Sequence, residues 1–272
     1  MLTLYVLLVF TSNSQASERI VSIGGAITEI LFELGLQENI IAVDTTSKYP
    51  ESVKAMRNVG YMRALSAEPI IALNPDLILY QEDAGPYETI EHLKASGMNL
   101  VKISNTPSVQ GVKNKIIEVA DAVNKHDQGE LIINEMERKL SVLRDHANDI
   151  SHPARIMFVL SFDKGSALVA GKETGADGII SLANGINVID HFSSYKPLGA
   201  ESVVKLAPDY VLTTHRAIAG VGTVDDVLNL PVMRLTPAAM NKQLIVMDGL
   251  LLLGFGPRIA LAASDLQNAL HP

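Results

Sequence analysis

The chain contains the stretch LSAEPIIALNPDLIL at residues 65–79, and the stretch LGAESVVKLAPDYVL at residues 198–212 aligns with it without a gap. The offset is 133 residues, close to half of the 272-residue chain, and seven of the fifteen positions are identical. Similarity at a fixed period predicts that one structural unit occurs twice. In each copy we expect a short helix, a Pro-Asp turn that ends it, and then an apolar strand. The sequence therefore predicts two lobes of the same build.

The order of apolar runs and glycine turns predicts the architecture of each lobe. A buried strand at 19–23 is followed by the turn Gly24-Gly25, a helix at 26–34 and a strand at 40–43. A further helix is predicted at 176–182, and further strands are predicted at 77–80, 100–103, 155–160, 210–213 and 244–247. Strands that alternate with helices, without the signals of tight hairpins, are typical of parallel sheets. The predicted fold class is therefore α/β, with two Rossmann-like lobes built on parallel sheets.

A long amphipathic segment lies between the two halves. From Gln128 to Asn148 the chain has no Pro and a single Gly, and its apolar residues recur at helical spacing. We expect one helix over residues 128–149, about 30 Å long, that braces the lobes rigidly. The predicted boundaries are an N-terminal lobe at 17–127, this helix, and a C-terminal lobe at 150–272.

Composition and the first residues exclude several classes of protein. The chain has 22 Lys and Arg against 30 Asp and Glu, and a formal net charge of −8 argues against a nucleic-acid partner. Because cysteine is absent, disulfides, thiolate metal sites and a lipidated N-terminal cysteine are excluded. Residues 1–16 combine a short apolar run with Ser14 and Ala16 at the −3 and −1 positions of a cleavage site, which is typical of a signal peptide cleaved after Ala16. The expected location is the periplasm.

Enzyme motifs are missing, whereas a few polar side chains fall where a ligand is expected. The chain contains no phosphate-binding loop, no zinc-protease motif and no nucleophile elbow, so no catalytic residue is assigned. Tyr61 and Arg63 are two residues apart and point the same way if the chain is extended. Arg216 follows the strand at 210–213, at the end where parallel sheets bind ligands. The three side chains either surround one cleft or are a half-buried aromatic residue with two surface charges, and the residues alone leave both interpretations open.

Three stretches, at residues 19–31, 59–68 and 247–258, resemble the periplasmic haem-binding proteins of bacterial ABC importers. These proteins are related to the vitamin B12- and siderophore-binding proteins. The segment GYMRALSAE at 60–68 carries the resemblance that is specific to the haem-binding branch. The resemblance implies two α/β lobes joined by a rigid helix, ferric haem as the transported ligand, and no catalytic cofactor.

The resemblance also implies roles for individual residues. Tyr61 matches the tyrosine that binds the haem iron, and Arg216 resembles an arginine that supports the tyrosinate from the C-terminal lobe. Glu68 and Glu201, which occupy equivalent positions in the two repeat copies, match the acidic pair that docks on the permease. Some relatives add a histidine from the C-terminal lobe, but Phe162 stands where one is sought here. A second axial ligand and the number of haem molecules therefore stay open.

The chemistry of these residue types suits ferric haem. Tyrosinate is an axial ligand that proteins use for haem iron, and a guanidinium within about 4–6 Å favours the charged phenolate. Paired N–H donors suit the haem propionates, and the candidates are Arg63, Lys196 and Lys48, in that order. The apolar candidates for covering the porphyrin faces are Met62, Leu65 and Phe255.

The expected function is capture of haem and its delivery to an inner-membrane permease dimer with ATPase subunits. An outer-membrane haem receptor system is the expected partner upstream. Two alternatives stay open. One is a siderophore- or cobalamin-binding protein on the same scaffold, and the other is a small-molecule enzyme that uses Tyr61 as an acid or base.

Overall fold

A four-stranded parallel sheet forms the centre of the N-terminal lobe. The computed structural model describes residues 18–147 and 152–271, so the predicted signal peptide lies outside the described residues. The elements of this lobe are β1 (Ile20–Ile23), α1 (Gly25–Glu33), β2 (Ile40–Val43), α2 (Ala67–Ile71), β3 (Leu77–Gln81), α3 (Tyr87–Ala95), β4 (Leu100–Ile103) and α4 (Val109–Ala122), with 3-10 turns at Gln37–Asn39 and Glu51–Ala55. The strands lie in the order β2-β1-β3-β4, and each neighbouring pair is parallel, as predicted.

The C-terminal lobe contains a six-stranded sheet and follows a long helix, α5 (His126–Ala147). Its elements are β5 (Arg155–Phe162), β6 (Ser166–Ala170), α6 (Gly175–Leu182), β7 (Ile186–Asn187), β8 (Tyr195–Gly199), α7 (Ala200–Leu206), β9 (Tyr210–Thr214), α8 (His215–Ala219), α9 (Val224–Leu228), α10 (Pro237–Met240), β10 (Leu244–Met247), α11 (Gly249–Leu253) and α12 (Ile259–Leu270). Five strands lie in the order β10-β9-β5-β6-β8, and β7 also pairs with β5. Among the described helices, none is long and apolar enough to cross a membrane.

The prediction of a wholly parallel sheet is wrong for this second lobe. The β10-β9-β5 portion is parallel, but β6 runs antiparallel to β5, and β8 runs antiparallel to β6. The reason is a tight turn after Phe162, closed by a hydrogen bond from the Asp163 N–H to the Ser166 carbonyl at 2.8 Å. The turn between the two apolar runs consists of Asp163, Lys164 and Gly165. Such residues are a hairpin signal, which the prediction of parallel strands did not use.

The sequence repeat is also a structural repeat. Both copies fold as a short helix, a turn and a central strand, namely α2 with β3 and α7 with β9. The Asp of each Pro-Asp turn accepts a hydrogen bond from a backbone N–H at the start of the lobe's first strand. Asp76 binds Arg19 N at 2.8 Å, and Asp209 binds Arg155 N at 3.0 Å. This shared contact explains why the Pro-Asp dipeptide occurs in both copies.

Helix α5 connects the lobes as a packed element. It begins two residues earlier than predicted, and the last two predicted positions lie outside the described residues. Its buried face, which includes Met136 and Leu140, packs against α4 of one lobe and α12 of the other. These residues belong to one apolar cluster that also contains Ile27 and Phe158 from the two lobes. The lobes therefore share a core, and the helix braces them as expected.

The carboxyl-terminal edges of the two sheets face each other, and charged side chains cross between them. The Glu29 carboxylate of α1 receives two hydrogen bonds from Arg258, at 2.8 and 2.6 Å, and the Arg258 guanidinium carbon lies 3.6 Å from the centre of the Tyr49 ring. Gly25, just after β1, approaches the segment after β10 so closely that a Cβ there would lie 2.6 Å from Leu250. Lys115 on α4 is fully buried and donates to the Phe255 carbonyl at 3.0 Å.

Lys115 is expected to make stability depend on pH. Burial lowers its pKa to about 8, although nearby carboxylates, Asp83 first among them, act in the opposite direction. An unfolded lysine has a pKa of about 10.4. Between these values the unfolded chain holds a proton that the folded chain has lost, so the folded state gains stability as pH rises. We expect Lys115 to contribute a gain of about 3 kcal/mol across this window.

Chemical denaturation from pH 7 to 10.5 tests this with Lys115→Met. The free energy of unfolding of the wild type should rise relative to that of the variant as pH increases. Lys102→Met, at an exposed position of β4, is the control and should keep the wild-type slope. A wild-type and Lys115→Met pair with identical pH dependence would contradict the expectation.

Candidate functional site

Tyr61 lies on a loop that is fixed to the carboxyl-terminal edge of the first sheet. Val59 N donates to the Val43 carbonyl at the end of β2, and Thr45 N donates to the Gly60 carbonyl, both at 2.9 Å. Gly60 has a φ of +100°, a backbone conformation that residues other than glycine rarely adopt. This turn places Tyr61 beyond the sheet edge, where its side chain is 43% exposed.

The same loop is also held to the segment after β3. Leu65 N donates to the Gly85 carbonyl at 2.9 Å, and Gly85 N donates back to the Met62 carbonyl at 2.8 Å. A further bond from Ala64 N to the Tyr61 carbonyl, at 2.8 Å, closes a turn. Residues 61–63 therefore form part of a turn and are not extended. The assumption of an extended chain, from which a shared direction of Tyr61 and Arg63 was predicted, is wrong.

Tyr61 and Arg63 are nevertheless in direct contact. Arg63 Nη1 donates to the Tyr61 hydroxyl oxygen at 2.9 Å, and its guanidinium carbon lies 5.9 Å from the centre of the Tyr61 ring. Arg63 Nη2 forms an ion pair with Asp83 Oδ2, and Gln81 Nε2 donates to Asp83 Oδ1 at 2.6 Å. A chain of four polar side chains thus runs from the last residue of β3 to the phenol oxygen.

Arg63 keeps its positive charge in this setting. Partial burial acts to lower its pKa, but the hydrogen bond to Tyr61 and the pairing with Asp83 outweigh burial and raise the pKa above its ordinary value. A phenolate oxygen has several lone pairs, so it can accept a hydrogen bond from Arg63 and still bind a metal. The hydrogen bond from Arg63 is therefore compatible with metal binding by the Tyr61 oxygen.

Arg216 occupies the corresponding edge of the second lobe. It is an exposed residue on α8, directly after β9, and the Thr214 hydroxyl caps this helix by accepting from Ala217 N at 3.3 Å. The Arg216 guanidinium makes no hydrogen bond or ion pair with any residue that the structure describes. Tyr61 and Arg216 thus lie on the two edges that face each other, and the Arg216 cation is available to a ligand between them.

The two predicted lysines lie apart from the pair of Tyr61 and Arg63. Lys196 is an exposed residue of β8, an edge strand that β5 and β6 separate from β9. Its ammonium lies 4.9 Å from the centre of the Phe192 ring. Lys48 is exposed in the loop after β2, next to Tyr49. Of the two, Lys48 is nearer to Tyr61 in the chain, and Lys196 belongs to the other lobe.

The apolar candidates lie in the core. Met62 is 3% exposed and Leu65 is 4% exposed in the apolar cluster of the first lobe, and Phe255 is 2% exposed in the cluster shared by both lobes. Each turns its apolar surface to neighbouring side chains of the protein. The interpretation of Met62, Leu65 and Phe255 as a cover for a porphyrin is therefore replaced by a role in packing.

Glu68 and Glu201 lie at equivalent places on the rim of the two lobes. Each is the second residue of its short helix and is exposed. Helix α2 starts beside Gly85 and α7 follows Gly199, which pairs with Ser166 just after the turn that ends β5. Both helices therefore begin at the carboxyl-terminal edges of their sheets, and each carries one exposed carboxylate in its first turn.

Histidines do not add a metal site. In the described parts of the chain, no cluster of three His, Asp or Glu side chains is arranged to hold a metal ion. His215 lines a cavity of about 270 Å³ inside the second lobe together with Asp248 and Asp265. Among the polar residues that sequence reasoning missed, Gln81 ends β3 and Asp83 follows two residues later, and this position at the carboxyl end of a strand was the available signal.

Comparison with known proteins identifies the family. The family model described as "Periplasmic binding protein" matches residues 20–250. The chain belongs to this family. The periplasmic binding protein is also similar to a solved structure, the periplasmic heme-binding protein RhuT from Roseiflexus sp. RS-1 in its apo form. That comparison gives 39% identity and a TM-score of 0.89, and it covers 93% of this chain and 97% of RhuT.

Two curated relatives of this periplasmic binding protein are more distant. The vitamin B12-binding protein of Vibrio parahaemolyticus is 27% identical over 223 residues, which are 80% of each chain. The ABC transporter substrate-binding lipoprotein YvrC of Bacillus subtilis is 26% identical over 200 residues. That alignment covers 72% of this chain and spans 63% of the length of YvrC. The family and these neighbours are substrate-binding proteins.

Proposed function

We propose that this periplasmic binding protein captures ferric haem between its lobes and delivers it to an ABC transporter. The observation that carries the proposal is the exposed Tyr61 phenol, whose oxygen accepts a hydrogen bond from Arg63 at 2.9 Å. Iron(III) prefers an anionic oxygen ligand, and tyrosinate is an axial ligand that proteins use for haem iron. The similarity to RhuT, at 39% identity over nearly the whole chain, supports haem as the ligand.

The side chains divide into three roles in this proposal. Tyr61 binds the iron, Arg63 holds the phenolate, and Arg216 pairs with a propionate or the phenolate from the opposite lobe. Arg216 has no hydrogen-bond or ion-pair partner within residues 18–147 and 152–271, and such an arginine suits a carboxylate because its paired N–H donors match the two oxygens. Glu68 and Glu201 contact cationic residues of a permease dimer, one on each half. The chain then acts in the periplasm without catalysing a reaction, and the ATPase subunits of the transporter supply the energy.

Cobalamin is the second candidate ligand, and the 27% identity to a vitamin B12-binding protein favours it. A side-by-side titration of the purified protein with haemin, cobalamin and a ferric siderophore distinguishes the candidates. We expect saturable binding of haemin with a ferric spectrum typical of tyrosinate ligation, and no saturable binding of the other two at the same concentrations. Tighter binding of cobalamin or of the siderophore would contradict the proposal.

A further inference from the structure

Asp83 links the Tyr61 and Arg63 pair to the rigid sheet. One carboxylate oxygen pairs with Arg63 Nη2, and the other accepts from Gln81 Nε2 at 2.6 Å. Gln81 is the last residue of β3 and is 7% exposed, so its side chain is fixed by packing. Asp83 thereby connects a buried amide on a central strand with a guanidinium that is half exposed.

The ion pair itself contributes little to stability. Its two side chains are 50% and 39% exposed, and an ion pair at that exposure contributes little to the free energy of folding. The ion pair instead sets the orientation of Arg63. A free arginine side chain samples many rotamers and loses entropy when it is held in one, and Asp83 holds Arg63 in one. With Asp83 in place, Nη2 is occupied, and Nη1 of the same planar group points at the Tyr61 oxygen.

We infer that Asp83 is a positioning residue for haem binding: it holds Arg63 in the orientation that supports the Tyr61 oxygen. The inference rests on the proposed function. It also predicts an effect opposite to that of simple electrostatics. The haem propionates are anionic, so removal of a negative charge nearby should by itself favour binding. A loss of affinity on removal of the Asp83 side chain therefore indicates lost positioning.

A double-mutant cycle with Arg63→Ala and Asp83→Ala tests the inference. Ferric haem affinity and the absorption spectrum are measured for the wild type, both single variants and the double variant. Asp83→Ala should lower affinity about tenfold in the wild-type background, as loss of an outer-shell partner does. It should also shift the ferric spectrum toward that of Arg63→Ala. In the Arg63→Ala background the same substitution should change affinity less than about twofold, because the group it positions is absent.

Two charge-removing variants complete the design. Asp83→Asn keeps one oxygen that accepts from Arg63 but loses the acceptor for Gln81 Nε2, so its affinity should lie between those of the wild type and Asp83→Ala. Glu82→Gln is the matched control, since Glu82 accepts instead from Asn105 N at 2.7 Å, and it should retain wild-type affinity. An equal loss from Asp83→Ala with and without Arg63, or an Asp83→Asn variant as weak as Asp83→Ala, would overturn the inference. If Tyr61→Phe binds haem as the wild type does, the proposed function itself fails, which is a separate result.

Discussion

Replacing Tyr61 with phenylalanine is expected to lower the affinity for ferric haem at least about a hundredfold. The substitution removes one oxygen and keeps the ring. The side chain is 43% exposed on a loop held by backbone hydrogen bonds, so the fold should not change. Loss of an outer-shell partner of a metal ligand costs about 10–100-fold, and loss of the ligand itself should cost more. Arg63 would also lose its acceptor at 2.9 Å.

Haemin titration, followed by ferric absorption, measures this effect. Tyr87→Phe is the matched control, because Tyr87 is 72% exposed at the start of α3 and follows the segment that holds the Tyr61 loop. The control should bind haem with wild-type affinity and spectrum. Unchanged affinity and an unchanged spectrum for Tyr61→Phe would remove the phenol from the site.

Reversing the charges of Glu68 and Glu201 together is expected to abolish haem delivery while haem affinity stays intact. The carboxylates are exposed on the first turns of the two repeated helices, one per lobe, on the side where the sheet edges face each other. Lysine at both positions would turn attraction to a cationic partner into repulsion, and like charges across an interface cost several kcal/mol. Single reversals should weaken delivery, since the other lobe keeps its contact.

Haem uptake into proteoliposomes that contain the transporter, with the purified variants added outside, measures delivery. The control is the pair Glu33→Lys and Glu130→Lys, two exposed carboxylates on α1 and α5, which changes net charge equally. Normal uptake with the Glu68 and Glu201 double variant would exclude docking through these residues. Equal loss of uptake with the control pair would point to net charge instead.

The two-lobe architecture was predictable because short stretches of sequence determine its elements. The repeat at 65–79 and 198–212 predicted both short helices and both central strands, and its Pro-Asp turns have the same structural role in each lobe. Strand β6 was not predicted at all, and apolar periodicity would in any case identify a strand without its orientation. The turn at Asp163–Gly165 decides that orientation, and its signal is only three residues long.

The site was predictable only in part, since its members come from distant segments. The spacing of Tyr61 and Arg63 predicted a shared direction from an extended chain, but the chain turns there and the two side chains form a hydrogen bond that was not predicted. Asp83 joins them through the packing of β3 beside the loop after β2, which no local pattern encodes. Met62 is a residue that was predicted at the site but lies elsewhere. Its place in the motif suggested a ligand contact, but the turn directs its side chain into the core.

A crystal structure of the protein loaded with ferric haem would test directly whether Tyr61 binds the iron. We expect a coordination bond between the Tyr61 oxygen and the iron. Arg63 should still donate to that oxygen, and the porphyrin should lie between the two sheet edges. Iron held by another residue, with the Tyr61 oxygen turned to solvent, would contradict it.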